Sequence, residues 1–94
     1  MAQLFVRHKV EDFKKWKPVF DEDSARRKAA GSEGCRLFHG EKDPNEVVVL
    51  CQWQDLSKAH RFAESEDTRQ KMEHAGVVGK PEVYFLDEIE KFSS

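Results

Sequence analysis

The stretch "LFVRHKVEDFKKWKPVF", from Leu4 to Phe20, predicts a strand that passes directly into a helix. Apolar and polar residues alternate over about residues 3 to 10, and several are β-branched or aromatic, which is typical of a strand. One face of this strand carries His8 among aliphatic residues, namely Leu4, Val6 and Val10. If that face is buried, the imidazole needs a hydrogen-bond partner or a polar spot in a cavity.

The first helix is predicted from residue 12 to about residue 30. Asp12 is a suitable N-cap because its carboxylate can accept from the free amides of the first turn, and Gly31 ends the helical pattern. Pro18 lies within this span, where it lacks an amide donor and clashes with the preceding turn, so we expect a kink or a broken turn there. The apolar stripe of the helix contains Phe13, Trp16 and Phe20.

A β-hairpin is predicted over "GCRLFHGEKDPNEVVVLCQW", residues 34 to 53. Two strand-like runs flank "DPN", in which Pro44 suits the second position of a type I turn. A slip of one residue would mix the faces, so the pattern favours one register. In that register Lys42 pairs with Glu46, His39 with Val49, Leu37 with Cys51, Cys35 with Trp53, Phe38 with Leu50 and Arg36 with Gln52.

The second half of the chain predicts another helix and a last strand. Asp55 is the N-cap of a helix that "ESED" interrupts, and Asp67 with Gln70 resembles a capping box that restarts a shorter helix. The segment "AGVVGKP" is predicted as loop, and "EVYFLDEIEK", residues 82 to 91, as the last strand. The apolar stripe of the second helix contains Leu56, Ala59, Phe62 and Ala63.

The element order strand, helix, strand, strand, helix, strand predicts a ferredoxin-like α+β fold. The 94 residues predict a single domain, 1–94, with a four-stranded antiparallel sheet and both helices on one face. We expect the helices to cover the face that carries Leu4, Val6, Val10, Cys35, Leu37, Val47, Val49, Cys51 and Phe85. The other face is also apolar, through Phe5, Phe38, Val48, Leu50, Tyr84 and Leu86. A monomer would leave it in water, so we expect a homodimer.

Composition and charge exclude several classes of partner. The net charge is -2, from 16 Lys and Arg against 18 Asp and Glu, so no basic field favours nucleic acid. No apolar run approaches the roughly 20 residues of a membrane span, and the first residues do not resemble a signal peptide. We therefore expect a cytoplasmic protein that binds neither nucleic acid nor membrane.

The cysteines and histidines form no metal-binding pattern. Cys35 and Cys51 lie in strand-like segments without CxxC spacing, and we expect both to be buried, reduced thiols. The four histidines lack the i, i+4 pairing of a ligand motif, so no metal site is predicted. The cationic run "RRK" at 26–28 is interpreted as solvated helix surface.

Three segments together resemble the small dimeric α/β-barrel proteins of the antibiotic-biosynthesis monooxygenase superfamily, including its short cyclase-like members: "VRHKVEDFKKWKPVF", "EVVVLCQWQDLSKAHRFAESED" and "AGVVGKPEVYFLDEIE". The most specific pieces are the strand ending in Trp53, the helix capped by Asp55, and the "FAESED" break. The resemblance covers nearly the whole chain. It implies a homodimer whose two sheets pack into a barrel, with a cavity in each subunit between sheet and helices.

The resemblance also implies a range of activities. Relatives oxidise polycyclic aromatic substrates without metal or flavin, or degrade haem. The haem-degrading branch uses a strand asparagine, a helix tryptophan and a histidine about ten residues later, whereas this chain has His8, Phe62 and Met72 near those positions. That activity is therefore not implied. The oxidising branch needs no cofactor and stabilises a substrate anion through hydrogen-bond donors.

Candidate site residues follow from the predicted faces. The candidate catalytic residues, as hydrogen-bond donors or general bases, are His8 and His39. The candidate ligand-binding residues, suited to a planar organic molecule, are Trp16, Phe20, His60 and Phe62. Each also has a purely structural interpretation, as a satisfied core histidine or a packed aromatic, and the sequence leaves both open.

Two functional hypotheses remain. The chain is a cofactor-independent monooxygenase or cyclase-like enzyme acting on a small aromatic substrate, or it is a non-catalytic, stress-related or ligand-binding protein that holds a small hydrophobic molecule. A cavity of substrate size with His8 facing into it favours the enzyme. A cavity filled by Trp16, Phe20 and Phe62 would argue against both.

Overall fold

The computed structural model describes residues 1–94 as one sheet covered on one face by helices. The strands form an antiparallel sheet in the order β2-β3-β1-β4, which confirms the predicted ferredoxin-like α+β fold. The strands are β1 (Ala2–Val10), β2 (Ser32–His39), β3 (Glu46–Trp53) and β4 (Val77–Asp87). The helices are α1 (Phe13–Glu22), α2 (Ser24–Ala30), α3 (Leu56–Ala63) and α4 (Glu66–His74).

The core lies between the helices and the sheet face predicted to be covered. Alternate residues of β1 and β3 are buried there, because successive side chains of a strand point to opposite faces. Leu4 pairs with Cys51 and Val6 with Val49 in the central rungs. The helices contribute the buried side chains of Trp16 and Ala59.

Helix caps follow the sequence with one exception. The carboxylates of Asp12 and Asp55 each accept a hydrogen bond from a backbone amide in the first turn, at 2.9 and 2.8 Å. Gly31 ends α2 with a φ of 121°. The cap of α4 is the hydroxyl of Ser65, not Asp67, so the helix begins two residues earlier than predicted. Asp67 lies instead in the first turn, where the helix dipole favours a carboxylate.

The first helical segment breaks at Asp23, which corrects the single helix predicted over 12–30. Pro18 lies inside α1, and the helix continues past it for another turn. The Asp23 carboxylate binds the guanidinium of Arg26 at 2.8 and 2.9 Å and makes no capping bond to the backbone. The interruption was predicted correctly, but its position was wrong by about one turn.

The β2–β3 hairpin pairs two residues away from the predicted register. The turn forms as expected, with Pro44 in second position and the amide of Glu46 donating to the carbonyl of Asp43 at 3.0 Å. The ladder, however, closes at Gly40, whose amide donates to the carbonyl of Glu46 at 2.8 Å. A side chain at Gly40 would lie 2.8 Å from the Asp43 carbonyl oxygen, so the chain folds back tightly here. Lys42 is therefore outside the ladder, and the observed pairs are His39 with Val47, Leu37 with Val49 and Cys35 with Cys51.

The cysteines form a disulfide, which corrects the prediction of reduced thiols. In the observed register Cys35 lies directly opposite Cys51, with Cα atoms 4.0 Å apart and an S–S distance of 2.06 Å. The predicted register placed Cys35 opposite Trp53 and so hid this pairing. Cys51 is buried on the covered face and Cys35 is exposed on the edge strand.

Strand β4 begins earlier and ends earlier than predicted. Val77 already pairs with Val10, inside the segment predicted as loop. The pairing is interrupted over residues 79–81 and then continues to Asp87, so residues 88–91 are outside the strand. A strand with an internal bulge resembles a loop in sequence because glycine and proline are turn residues.

The second sheet face is uncovered and apolar. Three of its side chains are substantially exposed: Phe38 at 48%, Tyr84 at 51% and Leu86 at 43%. At one end of this face Arg7 donates to the carboxylate of Glu46 at 2.8 Å. None of the helices has the length and apolar character needed to cross a membrane, and the cytoplasmic location stays a prediction.

Candidate functional site

A cavity of about 100 Å³ lies between the covered sheet face and the helices. It is partly open to solvent, and 11 of its 17 lining residues are hydrophobic. Typical ligand sites have volumes of roughly 300–1,000 Å³, whereas an engineered apolar cavity of about 150 Å³ accepts benzene. This cavity therefore suits one aromatic ring much better than a polycyclic system.

His8 forms part of the cavity wall. The residue is only 6% exposed, and its Nδ1 atom has no hydrogen-bond partner. Its ring meets that of Trp16 edge-on, with the centroids 5.7 Å apart. Burial lowers the pKa of His8, because the imidazolium would lose its hydration with no carboxylate to compensate. The imidazole is thus neutral at neutral pH, with one ring nitrogen able to accept a proton.

The sheet is irregular at His8. Residues 79–81 of β4 lie opposite it without forming ladder pairs, while its other neighbour, Val47 of β3, pairs normally. Gly79 adopts a φ of 73°, which favours glycine, and Pro81 has no amide to donate. Bulges of this kind occur often beside functional sites, where they change the direction of side chains.

Trp53 is a second buried polar group on the cavity wall. It is 1% exposed, and its Nε1–H, a donor only, has no acceptor. Its ring packs against that of Phe62 with centroids 5.1 Å apart. Trp53 pairs with Ala2, six positions along β1 from His8, so their backbones are separated by roughly 20 Å at about 3.3 Å per residue. The two side chains reach the same cavity from different rungs of the sheet.

Aromatic side chains from the helices form the middle of the wall. The rings of Trp16 and Phe20 are stacked, with centroids 4.9 Å apart and planes 20° apart. Both line the cavity together with Phe62, so three of the predicted ligand-binding residues are brought together. They surround the open space without filling it.

Arg26 lines the cavity and is held by three hydrogen bonds to the protein. Its guanidinium donates to both carboxylate oxygens of Asp23 at 2.8 and 2.9 Å and to the hydroxyl of Thr68 at 2.9 Å. The same group lies over the ring of Phe62, 4.4 Å from the centroid. Arg26 is therefore a structural clamp between α2, α3 and α4.

Arg27 lines the same cavity and has no carboxylate within ion-pair distance, although Asp23 and Asp21 are near enough to act on its charge. Its guanidinium lies over the ring of Phe20, 3.8 Å from the centroid, and donates only to the Phe20 carbonyl oxygen at 2.7 Å. It is half-buried and forms no ion pair. Burial lowers the pKa of the Arg27 guanidinium, because the charge loses hydration.

Two predicted site residues lie outside the cavity. His39 is exposed; its ring meets that of Phe13 edge-on at 5.3 Å, and its Nδ1 is 3.0 Å from the next carbonyl oxygen. His60 is also exposed, stacked on Phe85 at 3.6 Å with its Nδ1 3.2 Å from a glutamate carboxylate one turn later. Neither imidazole is brought to His8.

Sequence reasoning did not single out Arg27 or Trp53 as site residues. Arg27 was interpreted with its neighbours as solvated helix surface. In the single helix predicted over 12–30 it lies seven residues after Phe20, a spacing that keeps two residues on one helix face. Trp53 lies at an alternate position of β3 with the covered residues, so its burial could be predicted from the sequence. The lack of an acceptor for its N–H could not be predicted.

No three or more His, Cys, Asp or Glu side chains lie close enough together to hold a metal ion.

Comparison with known proteins identifies the fold. No family model and no curated protein matches the sequence. Among solved structures, an antibiotic biosynthesis monooxygenase is 16% identical with a TM-score of 0.74, covering 96% of this chain and 100% of its own. SnoaB, a cofactor-independent oxygenase from Streptomyces nogalater, is 14% identical with a TM-score of 0.79, covering 99% and 97%. Rv0793 from Mycobacterium tuberculosis is 12% identical with a TM-score of 0.73, covering 98% of both chains.

The chain therefore has the fold of the antibiotic-biosynthesis monooxygenase structures, which confirms the resemblance read from its sequence. At these identities the likeness is one of fold, over the full length of the compared chains.

Proposed function

We propose that the protein is a cofactor-independent oxygenase that acts on an electron-rich, single-ring phenol, with His8 as the general base. The observation that carries the proposal is the buried, neutral imidazole of His8, which lines the cavity and whose Nδ1 atom has no hydrogen-bond partner. SnoaB, which has the same fold, is described as a cofactor-independent oxygenase, and this supports the reaction class.

His8 is suited to remove a phenolic proton. Its lowered pKa keeps the imidazole in its basic form at neutral pH. General-base catalysis by a positioned side chain contributes typically about 10²–10⁴-fold to rate. Because the surrounding wall is mostly apolar, little water is present to form hydrogen bonds with the base or with the phenolate.

The chemistry balances without a redox cofactor. His8 takes the phenolic proton, and the phenolate gains carbanion character at a ring carbon ortho or para to the oxygen. That carbon passes one electron to O₂, and the resulting radical pair combines to a peroxide, which the imidazolium protonates. Loss of the ring C–H proton with cleavage of the O–O bond releases water and leaves a quinone. One oxygen atom of O₂ enters the product and the other becomes water.

The cavity volume supports a substrate smaller than the polycyclic compounds implied by the resemblance. About 100 Å³ leaves room for at most one ring, which would be bordered by the apolar side chains of Trp16 and Phe20. A tricyclic substrate would have to displace these side chains from a close-packed core, at considerable cost.

The test is oxygen uptake with a single-ring polyphenol, 3,5-dihydroxyphenylacetate. We expect one O₂ consumed per substrate, a quinone product that carries one ¹⁸O atom from ¹⁸O₂, and no accumulation of H₂O₂. His8→Gln should lower the rate at least 100-fold, whereas His60→Gln, which removes an exposed histidine outside the cavity, should leave it within twofold. Uptake by the wild type no faster than in buffer alone would refute the proposal.

The alternative function is non-catalytic binding of a small hydrophobic molecule. It is favoured by one observation, that His8 is the only imidazole on the cavity wall, with no carboxylate beside it to relay a proton. Ligand binding detected by thermal shift, with no oxygen uptake for any bound phenol, would favour this function over catalysis.

We further infer that the protein is a homodimer formed through the uncovered sheet face. Phe38, Tyr84 and Leu86 expose 48%, 51% and 43% of their surface there, and a second sheet would remove these large apolar side chains from water. We expect the dimer mass in light scattering at micromolar concentration, and the monomer mass for Tyr84→Glu. A wild-type chain that stays monomeric would contradict this inference.

A further inference from the structure

We propose that the cavity selects phenols that carry a carboxylate, with the carboxylate bound by Arg27 and the phenol directed toward His8. The inference deepens the proposed function by naming the substrate class of the same site, and it rests on that function for the oxidation that follows binding. It does not depend on catalysis for the binding step, which is measured separately.

The two adjacent arginines differ in their hydrogen-bond partners. Arg26 donates to a carboxylate and a hydroxyl of the protein, so its charge is already paired with Asp23. Arg27 uses one of its five N–H donors, on the carbonyl of Phe20. A partly buried guanidinium without an anion is unfavourable unless a ligand supplies one, since desolvation of a charge is costly when it is unpaired.

The indole N–H of Trp53 is a second donor without a partner beside the cavity. The N–H of Trp53 is buried and lacks an acceptor. Arg27 lies one helical turn before Gly31, and a side chain at Gly31 would come within 3.6 Å of the Trp53 ring, so α2 approaches the cavity at the Trp53 end. The free N–H donors of Arg27 favour a ligand group that only accepts, as a carboxylate does, and the unpartnered N–H of Trp53 lies on the same side of the cavity.

A chain of contacts connects Arg27 to His8 along the cavity. Arg27 lies over Phe20, Phe20 stacks on Trp16, and Trp16 meets His8. A ligand that follows this path has its anion at Arg27, its ring against the two aromatic residues and its phenol toward the base. Bidentate recognition by arginine is geometrically specific, so the anchor also sets which ring carbon reaches O₂.

The test compares 3,5-dihydroxyphenylacetate with its primary amide, which differs in charge and little in shape. Affinities are measured anaerobically by titration calorimetry, so that turnover does not interfere. We expect the wild type to bind the acid at least tenfold more tightly than the amide. Arg27→Gln should lose this preference, with the affinity for the amide within twofold of wild type.

Two further variants control for charge and folding. Lys28→Gln removes a neighbouring exposed cation of α2 and should keep the preference for the acid. Arg27→Lys keeps the charge without the planar fork and should retain only part of the preference. Thermal melting of each variant confirms that it is folded.

The outcomes separate this inference from the proposed function. Equal affinity of the wild type for acid and amide, or an unchanged preference in Arg27→Gln, would overturn the role of Arg27 even if oxygen is consumed. A preference that depends on Arg27, without any oxygen uptake, would support the site and overturn the oxygenase. Absence of binding by either compound would overturn the assignment of the ligand class.

Discussion

His8 and His39 flank the same residue, Val47, in one rung of the sheet, yet only one of them is buried. His8 is on a central strand beneath Trp16, is 6% exposed and has a lowered pKa. His39 is on the edge strand β2, beyond the helices, and is exposed with its ring against Phe13. Strand parity places a side chain on a face of the sheet. The position of its strand relative to the covering helices decides whether that face is a cavity or solvent.

The largest expected effect is on catalysis. His8→Gln should lower the rate of oxygen uptake by about 10²–10⁴-fold, because the general base is lost. His39→Gln should leave the rate within about twofold, since His39 does not line the cavity. Similar losses in the two variants, measured with an oxygen electrode, would show that the contrast in burial is irrelevant to function.

Removal of the side chain above His8 should make the two histidines similar. Trp16→Ala is expected to lower the free energy of unfolding by about 3–5 kcal/mol, because a large buried aromatic side chain is lost. Water should then reach the imidazole, and the pKa of His8 should rise toward the ordinary value of about 6.5. Urea denaturation checks the stability, and an unchanged His8 titration in the folded variant would contradict the role given to Trp16.

The disulfide fixes the edge strand that carries His39. Replacing Cys35 and Cys51 with serine should lower the free energy of unfolding by about 3 kcal/mol, since the bridge closes a loop with a sequence separation of 16. The position of His8 is expected to be kept, because His8 is on β1, which pairs with β3 and β4. Denaturation of the wild type with and without reductant provides the matched control, and no difference between the two would contradict this expectation.

The smallest expected effect is on the pH dependence of stability. The pKa of His8 is lower in the folded state than its ordinary value of about 6.5, so the unfolded chain binds more protons between those two values. Stability should therefore be complete above about pH 6.5 and decrease as the pH falls toward the folded pKa. His8→Gln should remove this pH dependence of stability, and His39→Gln should keep it. Thermal melting from pH 5 to 8 measures both, and a pH dependence that persists in His8→Gln would contradict its assignment to His8.

The sequence predicted which residues share a face better than which residues pair. The hairpin shows why: a slip of two residues keeps every side chain on its face, so alternation could not distinguish Cys35 opposite Trp53 from Cys35 opposite Cys51. The disulfide was missed because the predicted register separated the cysteines and their spacing matches no CxxC motif. The early start of β4 was missed because Gly79 and Pro81 indicate a turn, and a bulge within a strand uses the same residues.

The site was predictable in part. The direction of His8 followed from strand parity, and the aromatic wall followed from the helical spacing of Trp16 and Phe20. Arg27 could not be distinguished from its basic neighbours, because its missing counter-ion depends on Asp23 binding Arg26 instead. Such a choice between two adjacent cations is made by side-chain geometry, which the sequence pattern does not specify.

The most direct test of the account is an NMR titration of the four histidine rings with and without 3,5-dihydroxyphenylacetate, under anaerobic conditions. We predict that the pKa of His8 lies below the ordinary value of about 6.5, and that its ring nitrogens respond to the ligand while the signals of His39 and His60 do not move. A His8 whose pKa is not lowered and whose signals ignore the ligand would contradict the assignment of the cavity as the site and of His8 as its base.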